Sequence, residues 1–178
     1  MERHPISHND FVIHPHYSWA NQWLLLTAGD FHTGKFNTMT VGWGSFGTMW
    51  NKPFAQVVVR PVRYTYEFIN AYDTFTLSAF PESQKKILQI CGSKSGRHVN
   101  KMLEAGLTPI ASSQVAAPGF AEAELIVECR KMYWDDMNPS QFLDPAISAN
   151  YPAQDYHRIY FGEIVAIAGT EKYSRCGK

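Results

Sequence analysis

The stretch that most constrains the fold is residues 37–65, where two strand-like segments flank a short connector and then stop. Asn37-Thr38-Met39-Thr40-Val41-Gly42-Trp43-Gly44-Ser45-Phe46-Gly47 runs through the connector Thr48-Met49-Trp50-Asn51-Lys52-Pro53 into Phe54-Ala55-Gln56-Val57-Val58-Val59. The β-branched triplet Val57-Val58-Val59 has stiff side chains that suit a pleated, buried strand. Pro61 has no N–H for a ladder, so this strand is expected to end near Arg60. The connector makes the pair a hairpin.

The same run carries a literal Gly-x-Gly-x-x-Gly at Gly42, Gly44 and Gly47, with Glu67 twenty residues beyond the last glycine. A dinucleotide fingerprint needs those glycines to open a helix. Here only five residues separate Gly47 from Pro53, and the next run is a strand. The doubly wound reading is rejected. The glycines instead mark bulges, or places where a ligand or another backbone comes close.

Two arginines, Arg60 and Arg63, close the second strand. Thr65 reads as the N-cap of a short helix over 66–72, whose first turn leaves unpaired N–H groups that attract anions. An arginine fork beside such a terminus matches phosphate geometry better than lysine does. Either arginine alone reads equally well as a solvated strand end, so the weight rests on their joint placement. Upstream, the short polar side chains of Asn37, Thr38 and Thr40 around Met39 can bond the polar edge of a heterocycle while apolar neighbours cover its face. Asn and Thr also begin strands for reasons of local turn chemistry. Together these segments describe a hairpin able to hold a phosphorylated aromatic ligand.

Around this centre, Trp23-Leu24-Leu25-Leu26-Thr27-Ala28-Gly29 is the first buried strand, and Asp30 to Lys35 is the turn that delivers the chain to Asn37. Residues 75–80 alternate apolar and polar as a half-buried strand ended by Pro81. Residues 83–91 form an amphipathic helix closed by Gly92, with Cys91 on its apolar side as a core thiol. The segment Gly92-Ser93-Lys94-Ser95-Gly96-Arg97 lacks Walker spacing, yet it places small residues and cations ahead of a helix over 97–105 with Lys101 one turn inside, a second anion-friendly corner. A basic exposed loop is the plainer alternative for that segment.

Residues 107–111 make a short strand, and 121–131 alternates with Ala123, Leu125, Val127 and Cys129 inward. Ile126 interrupts its polar face, which suggests cover from a partner subunit. Residues 135–155 read as a long loop of the kind that forms lids or binding edges. Residues 156–169 are the last strand, 1–18 a polar arm, and 170–178 a tail. The arm crowds His4, His8, His14 and His16, but no carboxylate or cysteine accompanies them at ligand spacing, so a solvated or interface arm is favoured over a metal site.

About seven strands with two or three short helices and no βαβα rhythm point to a single mainly β domain over 1–178, an antiparallel barrel. Lys plus Arg equals Asp plus Glu at 16 each, so no global field argues for nucleic acid or an anionic membrane. No run reaches the length of a membrane span, and the N-terminus lacks an apolar leader core. The three cysteines, Cys91, Cys129 and Cys176, are odd in number and widely spaced, suggesting neither a disulfide framework nor a thiolate metal site. A cytoplasmic, reduced protein is the expectation.

With these pieces placed, the chain resembles the flavin reductase-like, FMN-binding split-barrel family of the flavoredoxin type. The resemblance rests on Asn37 to Gly44, Val59-Arg60-Pro61-Val62-Arg63-Tyr64-Thr65, Phe75 to Pro81, Cys91 to Arg97, and Tyr160-Phe161-Gly162-Glu163-Ile164, in order along the chain. It implies an antiparallel split β-barrel with a few short helices that dimerises and binds FMN without a covalent bond near the subunit interface. By position it assigns Asn37, Thr38, Met39 and Thr40 to the isoalloxazine, with Ser45 nearby. Arg63 and Thr65 fall to the phosphate or ribityl chain, and Ser95, Arg97 and Lys101 complete the polar end. His98 and Asn100 stand where relatives are more acidic, which leaves Arg63 the firmer assignment.

The implied activity is transfer of a hydride from NADH or NADPH through FMN to a flavin or a redox-protein acceptor. The cofactor carries that chemistry, so no general base is required and no Ser-His-Asp or Cys-His arrangement stands out. His32 and His157 are candidates for the pocket edge. Two rivals stand beside this reading: an FMN-dependent electron carrier without NAD(P)H activity, and a barrel that binds another ligand, such as haem, or none.

Overall fold

The computed structural model describes residues 2–175. Seven strands of six or more residues form one antiparallel sheet: β1 Leu24–Asp30, β2 Lys35–Val41, β3 Gly44–Met49, β4 Lys52–Val59, β5 Thr74–Ala79, β6 Leu125–Asp136 and β7 Arg158–Gly169. A short helical stretch, Pro15–Tyr17 running into the π-helical turn Ser18–Gln22, precedes it, and three longer α-helices follow: α1 Tyr64–Ala71, α2 Lys85–Ser93 and α3 Lys101–Ala105. The hydrogen-bonded order is β2-β1-β5-β6-β7-β4-β3, and His4–Pro5 adds a short strand on β7.

Connectivity dictates the curvature. β2 and β3 lie at opposite ends of this path, yet only Gly42 and Trp43 join them. Three Cα steps span at most about 11 Å, so the sheet must curl until its ends nearly meet. The result is a barrel left split beside β2. Leu24, Leu26, Phe75, Leu77, Val127 and Tyr160 fill its interior.

A second apolar layer covers part of the outside and explains the unbroken Leu24-Leu25-Leu26 run. Leu25 faces outward against Phe80, Leu88, Cys91, Phe120 and Ile126, so β1 is buried on both faces. The same layer corrects two expectations. Residues of β5 are buried on both sides rather than half-buried, and Thr76 turns its hydroxyl to the Pro118 carbonyl at 2.6 Å. Ile126 is covered by this chain's own segment around Phe120, not by a partner subunit.

Helix and strand ends also shift. The expected six-residue connector is a two-residue turn at Trp50 and Asn51, both with positive φ (52° and 58°), the hairpin turn whose twist matches its strands. Pro53 sits inside β4 opposite Thr48. α1 starts at Tyr64, so Thr65 is no N-cap; it is buried within the first turn. α2 continues through Gly92 to Ser93, and the 97–105 helix shrinks to α3, capped by the Asn100 side chain on the Leu103 N–H. β6 starts four residues later than the alternation at 121 suggests and runs to Asp136, while the 107–111 strand is only Pro109–Ile110, paired with Gly119–Phe120. Within 137–157 the chain forms two 3-10 turns, Pro139–Gln141 and Pro145–Asn150, capped by Asn138 and Asp144.

The arm and tail are built into the domain. Ile6 is buried, Phe11 bridges to Ser174, and the Tyr173 hydroxyl donates to buried Glu124. Cys176 lies outside the described residues.

Candidate functional site

The split in the barrel is where the site residues converge. β2 is paired by β1 on one side only, so one row of its backbone groups faces the opening. Across it, β4 loses its other partner beyond Val57, because β3 begins at Gly44 opposite that residue. The seam between Met39–Val41 and Val58 holds a hollow of about 220 Å³, walled further by Trp43, Arg60, Arg63 and His157.

A smaller hollow of about 90 Å³ adjoins it, sharing Met39 and Arg63 and lined by Val62 to Thr65, Cys91 to Ser95 and Lys101. The two corners singled out in the sequence, one after β4 and one after α2, therefore form one continuous place. The register of β3 on β4 shows no bulge, so close approach is what the glycines serve there: a Cβ at Gly44 would strike the Gln56 carbonyl and the Trp19 ring.

The short polar side chains of β2 are engaged within the protein. Asn37 Nδ2 donates to Thr65 Oγ1 at 2.7 Å, Thr38 Oγ1 to the Leu26 carbonyl at 2.9 Å, and Thr40 Oγ1 to the Leu88 carbonyl at 2.5 Å. What β2 presents to the seam is its backbone and the Met39 side chain. Ser45, on β3, bonds the Gln56 side chain and lines neither hollow.

The cations divide sharply. Arg63 is exposed, and the single hydrogen bond of its guanidinium among the described residues is a long one to the Gly92 carbonyl at 3.4 Å. Arg60 is spent: Nη1 reaches both Asp155 carboxylate oxygens at 3.1 Å, Nη2 the Asn150 carbonyl at 2.7 Å, and its plane lies over Tyr151. Arg97 pairs with Glu67 and lies over the Tyr64 ring. Lys101 is 5 % exposed and donates to the Thr38 and Cys91 carbonyls at 2.9 Å each. Burial lowers its pKa below the ordinary lysine value, and burial pushes the neighbouring Cys91 thiol up to about 11.

His157 closes the seam at the end of the 137–157 segment. It is 9 % exposed, its Nδ1 stands 2.8 Å from the Tyr151 hydroxyl, and Trp43 packs beside it with ring centroids 5.2 Å apart. Burial first, then Arg60, depresses its pKa to about 4, so the imidazole is neutral at pH 7. His32 stays exposed in the turn after β1, away from the seam. Trp43 is the wall residue that sequence reasoning missed; its signal was a large aromatic between two glycines at the strand junction.

The donor set fits a phosphorylated planar ligand. Arg63 has guanidinium capacity to spare beside the Ser93 to Ser95 segment, and a hollow with Met39, Val41, Trp43 and Val58 on its apolar side lies next to it. The arrangement can hold a planar ring edge-on against β2 and an anion at Arg63.

A family model described as "Flavin reductase like domain" matches residues 17–175. An uncharacterised protein of Pyrococcus abyssi is 25 % identical over 150 residues, covering 83 % of this chain and 74 % of that protein. Among solved structures, flavoredoxin from Methanosarcina acetivorans superposes with a TM-score of 0.67 at 26 % identity, over 100 % of this chain and 81 % of that one. An NADH:FAD oxidoreductase of Streptomyces globisporus gives 0.64 at 16 % identity over 88 % and 82 %, a likeness of fold alone.

Proposed function

The chain belongs to the flavin reductase-like family, and from that premise we propose that it holds FMN in the seam and passes a hydride from NADH or NADPH to a free flavin or a redox-protein acceptor. The observation that carries the reading is the spare guanidinium of Arg63 at the junction of the two seam hollows, one lined by Met39, Trp43 and His157 and one by Thr65 and Ser95. In this reading the backbone of Asn37, Thr38, Met39 and Thr40 lines the ring, with Trp43 and His157 as its walls. Arg63 holds the phosphate with Thr65 and Ser95, and Arg97 and Lys101 shape that end from their fixed bonds rather than by free charge.

Bound FMN would supply the hydride-accepting ring that the reaction needs and that side chains do not provide. The protein's share is position and exclusion of water. His157, neutral and hydrogen-bonded, adds no charge beside the ring, and the Asp155 carboxylate neutralises Arg60, leaving Arg63, among the described residues, as the guanidinium of the seam without an ion-pair partner.

The reading includes a homodimer, supported by the face where exposed Trp50 meets exposed Tyr133 and half-buried Phe161 edge to face, and a cytoplasmic setting, supported by the buried free thiols Cys91 and Cys129. No helix of the described residues is long and apolar enough to cross a membrane.

The test is the visible spectrum of the purified protein after FMN is added and the sample desalted, followed by anaerobic addition of NADH or NADPH. A retained flavin spectrum that bleaches supports the oxidoreductase. A retained spectrum that does not bleach reduces the protein to an electron carrier, and a colourless protein overturns the flavin reading. Sedimentation velocity tests the dimer.

A further inference from the structure

The outer face of β6 and β7 carries a hollow of about 490 Å³ that shares no residue with the seam. Along β7 it lies nine positions beyond His157, roughly 25–30 Å of extended chain. Its floor follows from register. Glu128 stands opposite Ala166 and Ile126 opposite Ala168, and cross-strand partners share a face. The two alanines leave open the space that larger side chains would fill, and Pro5 and Ile110 wall it from the N-terminal arm and the 110–113 segment. The volume falls within the range of small-molecule sites.

Two opposite charges line this hollow, each without a counter-charge. Glu128 is 4 % exposed; its Oε1 accepts from the Ser113 N–H at 2.8 Å and the Ser113 hydroxyl at 2.9 Å, and its Oε2 from the Gln114 N–H at 2.7 Å. Among the described residues no cation pairs with it, and Oε2 keeps acceptor capacity to spare. Arg3 is half-buried and spends Nη1 on the Ala121 and Ala123 carbonyls, with no carboxylate partner among the described residues. Glu122, the acid that acts on it through space, takes the Thr108 N–H with both oxygens at 3.1 and 3.0 Å. Glu2 at the rim is exposed. Backbone contacts fix Glu128 and Arg3 alike, so the two do not swing together to neutralise each other. Buried charges are ordinarily paired, and a small molecule that carries both an ammonium and a carboxylate on an apolar body supplies both missing partners.

We propose that this hollow binds a free α-amino acid with an apolar side chain, its ammonium on Glu128, its carboxylate on Arg3 and its side chain over Ala166 and Ala168. The site does not rest on the flavin reading, and its test needs no flavin.

The experiment titrates the full chain calorimetrically with L-leucine, beside 3-methylbutylamine, which lacks the carboxylate, and 4-methylpentanoate, which lacks the ammonium. Leucine is expected to bind saturably and each truncated compound about tenfold or more weakly, because each leaves one charged wall group unmatched. Arg3→Gln should weaken leucine about tenfold while leaving 3-methylbutylamine unchanged, and Glu128→Gln should weaken leucine while leaving 4-methylpentanoate unchanged; a merely structural role for either residue would move both compounds together. Circular dichroism checks each fold. Ala166→Leu fills the hollow without touching either charge and should abolish leucine binding, which keeps the test decisive if Glu128→Gln loosens the turn at Ser113 and does not fold. No saturable heat with leucine, or leucine binding unchanged in Ala166→Leu, overturns the site. Leucine and 3-methylbutylamine binding alike overturns the part given to Arg3 and with it the amino-acid class.

Discussion

The buried ammonium of Lys101 donates to the Thr38 carbonyl at 2.9 Å, and at the same distance to the carbonyl of Cys91, tying the start of α3 to strand β2 and helix α2. The residue thus frames the smaller seam hollow from a fixed position. Lys101→Met takes the ammonium donor from the Cys91 carbonyl and leaves the Thr38 carbonyl only the long 3.4 Å bond from Asn37 Nδ2. An orphaned buried group costs about 1–3 kcal/mol, so the variant is expected to lose roughly 2–4 kcal/mol of stability, read as a lower urea midpoint at unchanged m-value. A midpoint equal to the parent's would show that water replaces the ammonium.

Arg63 is expected to behave in the opposite way. Among the described residues its side chain makes one hydrogen bond, a long one at 3.4 Å, so Arg63→Ala should move stability by less than about 0.5 kcal/mol. A charged hydrogen bond to phosphate is worth about 1.5–3 kcal/mol, so FMN affinity should fall by roughly ten- to a hundredfold. Fluorescence titration checks it, with Arg63→Lys recovering only part because lysine lacks the fork. Unchanged affinity would remove Arg63 from the site.

These two residues show what the sequence made legible and what it did not. Anion-friendly corners around Arg63 and Ser95 were visible because small residues and cations cluster beside helix starts, and the seam does bring them together. That Lys101, Arg97 and Arg60 are already committed was not visible, because their partners Thr38, Glu67 and Asp155 come from other elements, the last 95 positions away. The barrel followed from alternation and short connectors. The outer layer that buries Leu25 and Ile126 did not, since a strand covered on both faces loses the alternation that reports its orientation.

His157 makes stability depend on acid. Its pKa is about 4 in the folded chain against 6.5 unfolded, so between those values the unfolded state binds a proton that the native state refuses. Stability is therefore full above about pH 6.5 and declines as pH falls toward 4, the sign expected when the unfolded state holds more protons. The groups facing the imidazole are Arg60 and Arg63, which oppose protonation, Asp155, which favours it, and the Tyr151 hydroxyl. Urea midpoints at pH 7.5 and 5 should differ for the parent and differ less for His157→Gln; equal slopes would place the titration elsewhere.

The Arg60–Asp155 pair links that imidazole to the 137–157 segment, and the two partners act on His157 with opposite signs. Asp155→Asn removes the charge that raises the His157 pKa, so the imidazole should protonate at still lower pH. Arg60→Gln removes a charge that lowers it, so protonation should move upward. NMR titration of the ring protons reads both. Either variant also loses the bidentate bond that, with Asn150 and Tyr151, fastens the segment to the seam, so both should hasten proteolysis around Pro152 to Gln154, which are exposed. Opposite pKa shifts with the same gain in cleavage would separate the electrostatic role of the pair from its mechanical one. Shifts of the same sign in both variants would mean that loosening the segment, by letting water reach His157, outweighs the charges themselves.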